Sequence, residues 1–196
     1  MSRKHSWRAA VLLLAAALAL APAHPVEAAL LVLTERDRSE AIRVGKRSVQ
    51  AEEFGAEWKV AGVGGQSVVV MTAFHRLALA ARNSAFQNRE LKPRDIDSLL
   101  KEYDGKLIFW ATLRGAKADF ARFYAPALLV QQEEIRPTFT QNERTAKPDE
   151  DGRFTARCIY VFPSEGLDPM AKLLLVVRDP DERQVARFTV DLSAMR

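Results

Sequence analysis

The sequence predicts an α+β, mostly β protein: an immunoglobulin-like antiparallel β-sandwich in the C-terminal half, with two to three helices in the N-terminal half. Three observations lead there. Ala186 to Leu192 alternates strictly, with Ala186, Phe188, Val190 and Leu192 on one face and Arg187, Thr189 and Asp191 on the other. A period of two marks a half-buried antiparallel strand. Helical spacing of apolar residues clusters before residue 104, and short apolar or alternating runs dominate after Lys106. The last third, Arg153 to Leu192, reads as three successive strands forming the wall on which the rest packs. The sandwich expectation rests on strand count and patterning, which is an argument from analogy.

The chain opens with a processing signal. Arg3, Lys4 and Arg8 form a basic head, Val11 to Ala21 is an apolar run, and Pro22 and Pro25 break it before Val26-Glu27-Ala28. This is the layout of a secretory signal peptide at residues 1–28, cut after Ala28 or, at the competing site, after Ala23. The apolar run falls short of the ~20 residues that span a bilayer, so no stable membrane span is expected after cleavage. Its style points to a bacterial envelope and to a periplasmic or secreted product. Residues 29–196 then form one exported globular domain, with 29–65 a charged helical lead-in and 66–196 the core.

Removing three basic residues and one acidic residue from the chain's 29 and 25 leaves a net charge of +2. The charges are interspersed, which describes a solvated surface and not a nucleic-acid footprint. Cys158 is the only cysteine, so no intramolecular disulfide is available. It reads as a small buried hydrophobe beside Tyr160 and Phe162.

In chain order, Ala29 to Leu33 is a short apolar run, a strand or a tether. Thr34 to Gln50 reads as a helix whose Thr34 and Asp37 are spaced as a capping pair, with Gly45 an interior cost of about 1 kcal/mol relative to Ala. Gly62-Val63-Gly64-Gly65 is a turn: the lysine and hydroxyl of a phosphate loop are replaced by Gln66-Ser67. Ser67 to Met71 is a β-branched strand. Phe74, Leu77, Ala78, Ala81 and Ala85 then follow helical spacing, with Thr72 as N-cap. Pro93 opens the next helix, Ile96, Leu99, Leu100 and Tyr103 form its stripe, and Gly105 stops it.

Lys106 to Arg114 carries apolar residues on both faces, the pattern of a central strand, and Trp110 is placed as a buried sandwich tryptophan. Asp119 to Tyr124 is a helical turn closed by Pro126. Strands are expected at Ala127 to Val130 and Thr138 to Arg144, with a tight hairpin at Pro148 to Gly152.

No catalytic, cofactor or metal site emerges. His75 is the only histidine after the signal, too few for a multi-histidine zinc site, and no Gly-x-Ser-x-Gly elbow occurs. It is the first residue to suspect in an enzyme, and its position at a helix start predicts partial exposure. Ser98 and Lys101 match Ser-x-x-Lys without the partner motifs of that class. Asp149, Glu150, Asp151 and Gly152 resemble a calcium-loop fragment that lacks its first aspartate and closing glutamate. Trp58, Trp110, Phe120, Phe123 and Tyr124 suggest an aromatic platform, but core packing is the simpler reading. The sequence therefore favours a non-catalytic envelope-binding or assembly-accessory domain meeting an envelope protein, through a strand edge for instance. The alternatives are a periplasmic hydrolase using carboxylates with His75, or a small-ligand-binding protein.

Overall fold

The computed structural model describes residues 31–196. Residues 1–28, read above as a signal peptide, and the start of the Ala29 to Leu33 run lie outside the described residues, and Leu31 to Leu33 form no strand.

Three α-helices occur among the described residues: α1 (Glu35–Arg47), α2 (Ala73–Phe86) and α3 (Pro93–Tyr103). Their starts follow the local chemistry. Thr34 and Asp37 close a reciprocal capping box on α1, and the Thr72 hydroxyl accepts the His75 N–H at 3.1 Å to cap α2. Pro93 occupies the first turn of α3. Gly45, a liability in an isolated helix, is required by packing. A Cβ there would lie 2.1 Å from the Ala78 carbonyl oxygen and 2.8 Å from the Ala81 Cβ. The missing side chain lets α1 and α2 cross in close contact.

The larger sheet runs β1 (Lys59–Ala61), β2 (Ser67–Met71), β3 (Lys106–Gly115), β8 (Phe154–Pro163) and β6 (Phe139–Asn142) in spatial order. The short β7 (Lys147–Pro148) also pairs with β8. The smaller sheet has the order β10 (Gln184–Asp191), β9 (Lys172–Arg178), β4 (Ala125–Val130) and β5 (Glu133–Ile135). Every pairing among the described residues is antiparallel.

The protein is thus mixed α+β and mostly β, with two antiparallel sheets. The immunoglobulin-like topology expected from strand count finds no confirmation in these strand orders. The C-terminal wall also divides: β8 joins the larger sheet while β9 and β10 pair in the smaller one, and side chains of all three meet in the core. β3 is central, as its two apolar faces predict, paired with β2 on one side and β8 on the other.

One continuous core joins both sheets and the helices. Leu107, Phe109, Leu113, Cys158, Tyr160 and Phe162 come from the larger sheet, and Leu128, Leu173, Leu175, Val177, Phe188 and Val190 from the smaller. Leu33, Ala41 and Trp58 of the charged lead-in join the same core. Each fully buried side chain of this kind is worth roughly 1.5–3 kcal/mol. Burial pushes the Cys158 thiol pKa up, which keeps it protonated and inert.

Candidate binding cleft

In the larger sheet, register decides which side chains share the face turned away from the core. Met71, Ile108, Val161 and Phe139 align across β2, β3, β8 and β6, and in the next row Val69, Trp110, Ile159 and Gln141 do the same. Helices cover the first row: Leu79 of α2 and Tyr103, which ends α3, pack against Met71, Ile108 and Val161. The second row is only partly covered: Val69 and Ile159 are half-buried against the first row, and Trp110 is exposed.

Two aromatic expectations are corrected here. Trp110 is 40 % exposed and does not act as the buried sandwich tryptophan, because the core-facing residues of β3 are Leu107, Phe109, Ala111 and Leu113. Phe123 is also exposed. Trp58 is the buried tryptophan, and its Nε1 donates to the Arg196 main-chain oxygen at 2.6 Å. Phe120 fills the space over Gly115, where a Cβ would meet its ring at 2.2 Å. Core packing therefore holds for Trp58 and in part for Phe120 and Tyr124, but not for Trp110 or Phe123.

Trp110 stands at a cleft of ≈ 620 Å³, within the size range of ligand sites. Val69, Met71 and Trp110 form its floor, and α2 supplies His75, Leu79 and Arg82. The opposite wall is the 52–56 loop, with Lys59 beside it. Arg82 braces that loop by donating to the Ala51 carbonyl at 3.0 Å and lying 4.9 Å from the Phe54 ring centroid. Glu52, Glu53 and Lys59 are exposed and give the rim charges of both signs.

His75 is not partly exposed as its helix-start position predicted; it is 4 % exposed. The reason is tertiary. Its ring stacks on Trp58 at 4.1 Å with planes 5° apart, and Phe54 lies 6.0 Å away. Burial is the main force that lowers its pKa to about 4, with the Arg76 charge acting the same way and the bond to Val70 opposing both. The ring is therefore neutral at pH 7. Its Nδ1 lies 3.0 Å from the Val70 carbonyl oxygen, which only accepts, so Nδ1 carries the proton. Nε2 is then an acceptor, and Gly55 sits beside it: a Cβ on Gly55 would lie 3.6 Å away.

The remaining sequence candidates are explained by surface chemistry. Ser98 and Lys101 both lie on the exposed side of α3. The Asp149 to Gly152 hairpin forms, with Gly152 at φ +77°. Its carboxylates are held by an arginine: Arg114 reaches Asp149 at 2.7 Å and Asp151 at 2.6 Å, and Thr155 donates to Asp149 at 3.0 Å. Among the described residues, no three His, Cys, Asp or Glu side chains are grouped to hold a metal ion. The orienting partner of His75 is a backbone carbonyl and not a carboxylate, so the cleft offers polar contacts and apolar surface without a triad.

Sequence reasoning missed the Trp110 cleft. The available signal was the outer face of β3, which passes from Ile108 and Trp110 to Thr112 and Arg114 and so turns polar partway along. No protein-family model and no curated protein matches the chain. The chain is similar to a solved structure of a novel protein of unknown function from Burkholderia pseudomallei K96243, at 12% identity and a TM-score of 0.42, over 83% of this chain and 92% of that one.

Proposed function

We propose that this chain is an exported, non-catalytic binding domain of the bacterial envelope, periplasmic or released, and that it receives an envelope protein at the Trp110 cleft. The observation that carries this reading is the exposure of a tryptophan in the middle of a central strand, between Val69 and Ile159, lining a ligand-sized depression. Tryptophan is enriched at the energetic centres of interfaces, where a large rigid ring is desolvated at low entropic cost. Export is read from residues 1–28 alone. The immunoglobulin-like likeness rests on strand count, and the binding reading does not depend on it. The volume of the cleft also favours a small-ligand role, whereas the hydrolase alternative lacks a carboxylate bonded to His75.

The test is cross-linked recovery of partners from the native envelope with tagged protein, comparing wild type with Trp110→Ala. The proposal predicts a saturable partner that the substitution releases. Equal recovery by both proteins would place the contact elsewhere, and no specific partner with either would remove the proposal.

A further inference from the structure

We propose that the cleft is built for a planar apolar ring that carries one hydrogen-bond donor, the chemistry of a phenol or an indole. This deepens the binding reading above and rests on it. Three features of the cleft converge. Its floor is apolar, from Val69, Met71 and Trp110, with Leu79 of α2 beside it, and favours a hydrophobic group, while Arg82, Glu52, Glu53 and Lys59 lie around it. Within this lining His75 presents a single acceptor, Nε2, because Nδ1–H is already given to the Val70 carbonyl. Gly55, the residue beside Nε2, adopts φ +94° and has no side chain to cover that edge of the ring. The stack on Trp58 holds the imidazole in place, so the acceptor is preorganised.

Such a site selects for a donor. A ligand that cannot donate leaves a desolvated nitrogen unpaired, which costs more than the bond itself yields. The same chemistry is found in the tyrosine or tryptophan side chain of a protein and in a free aromatic metabolite, and the test separates these two sources.

The full chain is titrated with p-cresol and with p-methylanisole, which differ by replacement of the O–H. Binding is followed by the indole N–H resonance of Trp110 and by the ¹⁵N shifts of His75. The proposal predicts that p-cresol binds about fivefold tighter or better, and that it moves the Nε2 resonance while Nδ1 stays protonated. His75→Phe, which keeps a ring on Trp58, is expected to bring the two affinities together. Equal affinities in the wild type overturn the inference but leave the cleft as an apolar binding site. Failure of both probes to perturb Trp110 or His75 overturns the inference and counts against the cleft itself. The wild-type comparison stands even if the variant does not fold. A tyrosine-containing hexapeptide that binds tenfold tighter than p-cresol assigns the donor to a protein partner, and equal binding assigns it to a free aromatic.

Discussion

Lowering the pH below 6.5 should destabilise this protein through one buried side chain. His75 has a pKa of about 4 in the fold against an ordinary value of 6.5. The folded state therefore refuses a proton that the unfolded chain accepts. Above pH 6.5 neither state is charged and nothing is lost. As the pH falls from 6.5 towards 4, the unfolded chain gains protons and stability drops. At about 1.4 kcal/mol for each pH unit, the full loss is about 3 kcal/mol, of which about 2 kcal/mol falls between pH 7 and pH 5. The charged groups near the ring are Arg76 on its own helix and Arg82, Glu52, Glu53 and Lys59 around the cleft. The assay is urea unfolding at pH 7, 6 and 5 for the wild type and for His75→Phe, with each comparison made at matched ionic strength. The difference in pH dependence isolates His75, since any titration outside the cleft is common to both proteins. A wild type whose stability is unchanged at pH 5, or a variant with the same pH slope, would refute the buried neutral imidazole.

Three further outcomes follow from the packing. Trp58→Ala should cost about 3–5 kcal/mol, whereas Trp110→Ala should cost under about 1 kcal/mol; chemical denaturation of both compares a core ring with a surface one. Gly45→Ala should destabilise by about 1–3 kcal/mol despite alanine's better helix propensity, because the new methyl meets the Ala78 carbonyl; a gain in melting temperature would contradict the close helix crossing. The Tyr160 hydroxyl is buried with the Cys158 thiol, a weak sulfur partner, beside it and no oxygen or nitrogen partner, so Tyr160→Phe should leave stability unchanged or raise it by up to about 1 kcal/mol, read from the denaturation midpoint.

What was legible in the sequence was local. β10 shows its alternation because one face is buried and the other wet, and α3 carries its own start, stripe and stop in Pro93, Ile96 to Tyr103 and Gly105. The Asp149 to Gly152 hairpin needs only its four-residue chemistry. What was not legible depends on distant partners. The strands β1, β5 and β7 are two or three residues long and have no period to read. Nothing within β8 or β9 states that they belong to different sheets, because register is set across the core. The burial of His75 is imposed by Trp58 from another element. The exposure of Trp110 is decided by how far α2 and α3 reach over the larger sheet, which pattern alone does not encode. Gly45 shows the same limit from the other side: its helix cost is visible in the sequence, while the contact that requires it is not.

The most direct measurement is site-specific photo-cross-linking in the native cell, with a photoreactive amino acid placed at Trp110 and, as a control, at Thr189 on the exposed face of the smaller sheet. The account predicts a discrete cross-linked species at position 110 and none at 189. Cross-linking at 189 alone, or no species at 110, would contradict the claim that the open face of the larger sheet is where this protein meets its partner.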